Sequence, residues 1–257
     1  MTIFKSLYQY RELLKTNVQK EIRGKYKGSF LGVLWSFLNP LLMVLVYALV
    51  FSIILKQDIP NYIIFLIVGV IPWNFFTTVI SQGTNCIWIN GGIIKKVFFP
   101  REILPVSVVL AGLINFLISC IIILIFVFFS GIGFSWHLIW LPLIAVLQTL
   151  FSLGLLFALS AIDVYVRDVE YIISFLLNLL FYATPIIYTA ELFPESVRWI
   201  LYLNPMTHFI NAYRNIFYYQ TSPSLMSLIY ISIFVILFLI FGYLIFKKLE
   251  RGFAEEV

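Results

Sequence analysis

The sequence predicts an all-α integral membrane protein with six transmembrane helices. Hydrophobic residues make up 62% of the 257 residues, and charged residues only 11%. The mean hydropathy is +1.01. A single soluble core cannot hide this much apolar surface, so lipid must solvate much of the chain. The length leaves no room for a separate soluble catalytic domain beside the apolar segments.

Six apolar stretches are separable, and each is near the ~20 residues that a transmembrane helix needs. They cover residues 30–55, 62–82, 104–130, 138–162, 172–188 and 226–246. Glycine and proline occur inside them, which is common in spanning helices because neighbouring groups satisfy the freed backbone. An even number of spans places both termini on the same side of the membrane.

The basic residues indicate which side that is. All 17 Lys and Arg residues except Lys56, Arg198 and Arg214 fall in the two terminal segments or in loops on the same side as the termini. Basic residues concentrate on the cytoplasmic side of membrane proteins, so both termini are predicted to be cytoplasmic. Anchoring to the membrane surface then explains the net charge of +5, and no nucleic-acid partner is needed.

Residues 1–29 are predicted to form a cytoplasmic amphipathic helix before the first span. Apolar residues recur at intervals of about four from Ile3 to Tyr26, with lysine and arginine on the other faces. Two placements fit this pattern. The helix either lies at the inner leaflet, held by its apolar stripe and anionic lipid, or docks to a soluble partner, and both can hold at once.

Residues 189–224, between the fifth and sixth spans, are predicted to fold back on the outer membrane surface as a re-entrant helical hairpin. This segment is too long for a simple turn and is rich in aromatic residues. Pro194 can open a short helix that Asn204-Pro205 ends, and a second amphipathic helix follows at about 207–219. Residues 247–257 are predicted to be a cytoplasmic tail, so the transmembrane domain covers 30–246.

The sequence offers no candidate catalytic or metal site. The stretch from Gly24 to Ser29 has the residue types of a phosphate-binding loop but not its spacing. Neither the two cysteines nor the two histidines stand at metal-binding spacing. The centres of the predicted spans contain no charged residue, which argues against a proton-coupled carrier. We expect no cofactor, no metal and no enzymatic activity, and expect any transport to be driven by another component.

Aromatic residues make up 18% of the chain. Most are expected to form interfacial belts and to pack within the bilayer. Their flat faces, and the hydrogen-bonding edges of Tyr and Trp, also suit the stacking and bonding of sugar rings. The most suggestive of them are Trp35, Tyr47, Trp73, Phe75, Phe76, Phe181, Tyr182 and Tyr188.

A basic, proline-bounded loop joins the second and third predicted spans. Its sequence, NGGIIKKVFFPREILP at residues 90–105, resembles the cytoplasmic signature of the polysaccharide-export permeases of type-2 ABC transporters, which export O-antigen, capsule and teichoic acid. Further matches are RGKYKGSFLGVLW at 23–35, leading into Asn39-Pro40, then VRDV at 166–169, YATPIIY at 182–188 and LNPM at 203–206. The resemblance covers essentially the whole chain and does not specify the polymer.

The resemblance implies a homodimer of six-helix permeases in the bacterial plasma (inner) membrane, joined to two copies of a separate nucleotide-binding ATPase subunit. The substrate would be a polysaccharide built on a polyprenyl-pyrophosphate lipid. In such permeases the loop between the second and third spans forms a coupling helix set in a groove of the ATPase, and here it would cover 87–102. The candidate ATPase contacts are Lys95, Lys96, Arg101 and Glu102.

The same family suggests where the glycan passes. Its first and fifth spans line the path, and short helices after the fifth span form an outer gate. The implied glycan-path residues are Trp35, Tyr47, Tyr182 and Tyr188, and the implied gate residues are Trp199, Tyr202, Asn204 and Pro205. The basic residues Arg23, Lys25 and Lys27 either attract the lipid pyrophosphate or anchor the chain to anionic membrane lipids.

Two other functions stay open at this point. A type-2 exporter of drugs or small lipids shares the architecture but does not need a wide aromatic path. A membrane enzyme that acts on polyprenyl lipids needs clustered catalytic carboxylates, and the chain has no Asp-Asp or Asp-x-Asp pair.

Overall fold

The computed structural model describes residues 3–26, 30, 32–50 and 59–257. All regular secondary structure within these ranges is helical, which confirms the predicted all-α class. The helices are α1 Ile3–Gln9, α2 Arg11–Tyr26, α3 Trp35–Leu49, α4 Tyr62–Thr84, α5 Cys86–Ile89, α6 Gly91–Ile94, α7 Ile103–Phe129, α8 Leu141–Asp163, α9 Asp168–Tyr182, α10 Glu195–Leu203, α11 Pro205–Phe217, α12 Leu225–Leu249 and α13 Phe253–Glu256.

Four of the described helical segments are long and apolar enough to cross a membrane: Tyr62–Thr84, Ile103–Phe129, Trp136–Asp163 and Leu225–Glu256. The predicted second, third, fourth and sixth spans fall on them. The predicted first span contains α3, and the predicted fifth span overlaps α9. Each of these helices has 15 residues and is shorter than the ~20 residues of a full span. Residue 31 and residues 51–55 of the predicted first span lie outside the described residues, so the six-span count stays a prediction.

Helix α9 ends at Tyr182, earlier than the predicted end at Tyr188. Pro185 accounts for the difference because it has no N–H to continue the helical ladder and disfavours helical geometry at Thr184. The chain therefore turns after α9, and Tyr188 lies beyond the helix. The predicted end of this helix is wrong.

Helix α4 lies at the centre of the bundle. It packs against α3, α7, α8, α9 and α11, and 78% of an 18-residue apolar segment of the helix is buried within the protein. Helix α12 lies at the periphery, where only 17% of the corresponding segment is buried. Its outer surface carries exposed apolar side chains such as Ile236 and Phe241, which lipid would cover.

Helices α8 and α12 cross in close contact at two glycines. A Cβ atom at Gly242 would overlap the carbonyl oxygen of Gly154, and a Cβ atom at Gly154 would lie 2.6 Å from the backbone nitrogen of Leu239. Small residues allow two helix backbones to approach in this way, which is a common means of packing helices in membranes. The crossing attaches α12 to the rest of the bundle.

The N-terminal helices are attached to the bundle at the same end as α5 and α6. Helix α2 packs along α7, and Lys20 Nζ donates a hydrogen bond to Asn90 Oδ1 at 2.9 Å. The predicted segment 1–29 thus contains α1 and α2, with 27–29 outside the described residues. Its position relative to the membrane stays a prediction.

The predicted coupling segment contains two short helices, α5 and α6, followed by an irregular stretch that leads into α7. The C-terminal residues pack beside it. Helix α12 continues to Leu249, a 3-10 turn and α13 follow, Phe253 is fully buried, and a Cβ atom at Gly91 would overlap the side chain of Val257. Residues 247–257 therefore pack against the bundle, while their cytoplasmic placement stays a prediction.

Two short helices, α10 and α11, occupy the predicted hairpin. Asn204 caps α11 by accepting a hydrogen bond from the backbone N–H of Met206 at 3.0 Å. Its Nδ2 donates to Thr184 Oγ1 at 2.8 Å. The hairpin is thereby tied to the turn that follows α9, while its depth in the membrane stays a prediction.

Candidate functional site

Two adjoining cavities open along α4. The larger, of about 670 Å³, lies between α2, α3, α4 and α7. The smaller, of about 390 Å³, lies between α3, α4 and α9. Met43, Asn74, Thr78 and Gln82 line both cavities. Each volume is within the range of ligand-binding clefts.

A polar stripe on α4 forms the shared wall of these cavities. Its members are Asn74, Thr77, Thr78, Ser81 and Gln82. The last four members lie three, four, seven and eight residues after Asn74, which is the spacing of one helix face. This stripe was not among the predicted site residues, although its periodicity is present in the sequence within an otherwise apolar span.

The other walls carry similar groups. Helix α3 contributes Asn39, α7 contributes Asn115 and Ser119, and α9 contributes Ser174 and Asn178. Amides and hydroxyls can each donate and accept hydrogen bonds. Among the described residues that line either cavity, Glu21 of α2 is the one with a charged side chain. The cavity walls thus combine apolar side chains with amides and hydroxyls, and the described lining contains no basic side chain.

Glu21 lies at the α2 side of the larger cavity. Burial raises the pKa of its carboxyl group, and the neighbouring Lys20 opposes this shift. Because Lys20 also bonds to Asn90, this part of α2 contacts both the cavity and the segment between α5 and α6.

Three of the four aromatic residues predicted to line a glycan path lie at these cavities. Trp35 lines the larger one, and Tyr47 and Tyr182 line the smaller one. Tyr188 does not line either cavity. Its hydroxyl instead donates to the carbonyl oxygen of Tyr182 at 2.7 Å, so it holds the end of α9. Phe181 stacks on Tyr47 with ring centroids 5.5 Å apart.

The segment between α5 and α7 presents a mixed basic and apolar surface. Lys95 and Lys96 are exposed. Large apolar side chains beside them are exposed as well, including Ile89 and Phe98, the latter at 87%. Exposed apolar side chains grouped around charges are typical of a protein-binding surface.

Arg101 and Glu102, the other two predicted ATPase contacts, belong to an internal ion-pair cluster. Glu102 is only 3% exposed and forms a close ion pair with Lys247 of α12. Lys247 Nζ also lies 2.7 Å from Glu250 Oε2, and Arg101 Nη1 lies 3.9 Å from Glu250 Oε1. The cluster joins the start of α7 to the end of α12. Glu102 is thus a poor candidate for a partner contact, because its side chain is buried and already paired. No local sequence pattern indicates this pairing with a residue near the C-terminus.

Of the three basic residues predicted to bind a pyrophosphate, only Arg23 has a described side chain, which is exposed on α2. The side chain of Lys25 and all of Lys27 lie outside the described residues. The structure therefore leaves the predicted cluster of three untested.

The predicted gate residues are at the surface of the outer hairpin. Trp199 and Tyr202 are exposed on α10, and Asn204 and Pro205 form the junction with α11. His208 holds this junction: its Nε2 is 2.8 Å from the carbonyl oxygen of Tyr202, and its Nδ1 is 3.1 Å from Ser227 Oγ of α12. Burial lowers the pKa of His208, and the bond to Tyr202 opposes this shift.

Arg214 of α11 is a buried cation that the sequence analysis counted only as an outer basic residue. Its Nη1 and Nη2 donate to the carbonyl oxygens of Pro185 and Ile186, each at 2.6 Å. The guanidinium carbon lies 3.5 Å from the ring centroid of Phe65. A Cβ atom at Gly69 would lie 3.1 Å from Nη2, so α4 carries a glycine where the guanidinium passes. Arg214 thereby fixes α11 to the turn after α9.

Sequence comparison establishes the family. The profile of the ABC-2 type transporter family matches residues 12–218. The chain belongs to the ABC-2 type transporter family. The matched region of this ABC-2 protein begins in α2 and ends just beyond α11, so it includes both cavities, the predicted coupling segment and the hairpin of α10 and α11.

Individual ABC-2 relatives match nearly the whole chain. The O-antigen export system permease protein RfbA of Myxococcus xanthus is 38% identical over 99% of both chains. A protein of the same name from Klebsiella pneumoniae is 37% identical over 95% of this chain and 94% of its own. The polysialic acid transport protein KpsM of Escherichia coli is 23% identical over 91% of this chain and 92% of its own.

Proposed function

We propose that this chain is the permease subunit of an ATP-driven ABC transporter that exports a lipid-linked polysaccharide of the O-antigen type across the bacterial inner membrane. The observation that carries the proposal is its similarity, over nearly the full length, to two O-antigen export permeases. The hydrogen-bonding cavities along α4 support it, because a glycan chain needs partners for its hydroxyl groups inside a membrane.

The proposed topology has six spans with both termini in the cytoplasm. The charge pattern supports this orientation, because lysine and arginine are concentrated at the end of the bundle that carries α2, α6 and the C-terminus. Helices α3 and α9 would be the described parts of the first and fifth spans, and α10 and α11 would form the outer gate hairpin. Trp199 and Tyr202 would be its exposed gate side chains.

The proposed partner is a separate ATPase subunit, present in two copies, that binds the segment 87–102. Lys95 and Lys96, together with the exposed rings and aliphatic side chains around Phe98, would make the contact. Arg101 would lie at its margin. Closure of the ATPase pair on ATP would displace this segment, and the ion pair between the buried Glu102 and Lys247 would carry the displacement to α12.

The proposed path is completed by a second copy of the chain. Both α3 and α9 expose large side chains beside the cavities, such as Met43 and Tyr182. A homodimer that brings these faces together would enclose the path, with Trp35 and Tyr47 supplying flat surfaces for sugar rings and the α4 stripe supplying hydrogen bonds. Tyr188 would act by positioning Tyr182.

The lipid carrier would enter with its pyrophosphate near α2. Arg23, Lys25 and Lys27 are the proposed pyrophosphate contacts because they precede the first span on the basic side of the protein. Alanine substitution of all three should reduce the stimulation of ATPase activity by lipid-linked glycan. Unchanged stimulation would leave these residues with an anchoring role only.

The decisive experiment measures the ATPase activity of the permease co-purified with its cognate ATPase subunit, with and without polyprenyl-linked glycan. A Lys95→Glu, Lys96→Glu double variant should lose glycan-stimulated activity. The matched control is Lys5→Glu, Lys15→Glu, which makes the same charge change at exposed positions of α1 and α2. Failure of the wild-type chain to associate with any ATPase would refute the proposal, and stimulation by drugs but not by glycan would favour a small-molecule exporter.

A further inference from the structure

We infer that the conduit selects uncharged polysaccharides and excludes polymers that carry a carboxylate or phosphodiester in each repeat. This inference deepens the proposed export function and rests on it. It concerns the chemistry of the repeating unit.

The lining of the two cavities supplies the first argument. The amides of the lining, Asn39, Asn74, Gln82, Asn115 and Asn178, each combine donors with an acceptor. A sugar hydroxyl also donates and accepts, so each amide can either donate a hydrogen bond to a hydroxyl or accept one from it. A carboxylate or phosphodiester only accepts hydrogen bonds, so it cannot bond the carbonyl oxygen of an amide.

The electrostatics supply the second argument. An anionic group that leaves water for a membrane-embedded cavity needs a cation nearby. Among the described residues that line the cavities, none is basic, and Glu21 adds a negative charge at the α2 side. The buried Arg214 is already bonded to two backbone carbonyls and cannot serve an anionic repeat in the path. The free-energy cost of removing anionic groups from water therefore grows with the number of charged repeats in the path.

The single pyrophosphate of the lipid carrier is a different case. It occurs once per polymer and sits at the membrane surface, where Arg23 of α2 is exposed. The inference therefore separates the anchor, which is anionic, from the repeats that follow it along the α4 stripe.

The test uses the permease with its ATPase in proteoliposomes and two polyprenyl-pyrophosphate-linked polymers of equal length. One polymer is built of neutral hexose, and the other has a hexuronic acid in each repeat. Polymer that reaches the vesicle lumen is measured. The wild-type complex should transport the neutral polymer at least about tenfold faster than the acidic one. Equal rates would overturn the inference while leaving the proposed function intact.

Variants that place a cation in the path sharpen the test. Asn74→Lys, or Asn115→Lys if the first variant does not assemble, should shift the ratio of rates toward the acidic polymer. Gln9→Lys adds the same charge at an exposed position of α1 and should leave the ratio unchanged. An unchanged ratio in an assembled cavity variant would refute the role of the lining. Transport of neither polymer by the wild-type complex would instead refute the proposed function.

Discussion

Substitution of Gly242 by alanine tests the packing of α12 on α8. In an open helix this change is favourable by about 1 kcal/mol, because alanine has the higher helix propensity. At Gly242 the added Cβ atom would overlap the carbonyl oxygen of Gly154. The obstructing atom belongs to a helix backbone and cannot rotate away, so the two helices must separate.

The expected cost follows from that geometry. Overpacking of a well-packed contact costs about 1–3 kcal/mol. Because the obstructing atom is helix backbone, we expect a cost near the upper end, about 2–3 kcal/mol, from which the propensity gain of about 1 kcal/mol is subtracted. A net loss of about 1–2 kcal/mol lowers the unfolding midpoint of a chain of this size by about 2–8 °C. Thermal unfolding of the purified protein in detergent, followed by loss of the folded peak in size-exclusion chromatography, measures this shift.

Gly24→Ala is the matched control. Gly24 lies in α2, and a Cβ atom there meets no atom within 4 Å. This variant should unfold at the wild-type midpoint or above it. A Gly242→Ala protein that is as stable as wild type, measured beside this control, would refute the close approach of α8 and α12.

Three further predictions use the same unfolding measurement. Lys247→Met should destabilise the protein by up to about 3 kcal/mol, since it leaves the buried Glu102 without its partner. Adding Glu102→Gln to this variant should recover part of the loss. If the double variant instead loses the sum of the two single-variant losses, that result would count against the ion pair. Arg214→Lys should cost about 1–3 kcal/mol, because lysine lacks the planar fork that places a separate N–H group opposite each carbonyl, and an unchanged midpoint would contradict this. Burial lowers the pKa of His208 in the folded protein. Below the ordinary histidine pKa of about 6.5 the unfolded chain therefore binds more protons than the folded one, and stability should fall as the pH drops through that value. A His208→Gln variant with the same dependence of stability on pH would refute the assignment.

The sequence predicted the parts of the fold that depend on hydropathy. Long apolar stretches marked α4, α7, α8 and α12 because lipid demands uninterrupted apolar surface over a full span. The end of α9 was misplaced because the effect of Pro185 on a helix was treated as tolerable inside a membrane span. The turn chemistry of Asn204-Pro205 was read correctly because it depends on adjacent residues only.

The candidate site was predicted less well, for two physical reasons. Aromatic side chains were chosen because they are abundant, whereas the polar groups of the lining are amides and hydroxyls whose helical spacing on α4 was not used in the prediction. Contacts between residues far apart in the chain, such as Glu102 with Lys247 and Arg214 with the turn after α9, have no local signature. Burial of a charge is decided by its distant partner, so composition alone classed these residues as surface groups.

Helix α7 links the proposed partner surface to the proposed path. Its first residues follow the exposed Lys95 and Lys96, its N-terminal end is preceded by the buried Glu102, and its middle carries Asn115 of the larger cavity. The Glu102 pair also attaches this end of α7 to α12, which is fixed to α8 by the glycine crossing. A displacement of the coupling segment would therefore move one wall of the cavity while the α4 stripe, held in the buried centre of the bundle, stays in place. Under the proposed function, this geometry predicts that the path changes width between α7 and α4.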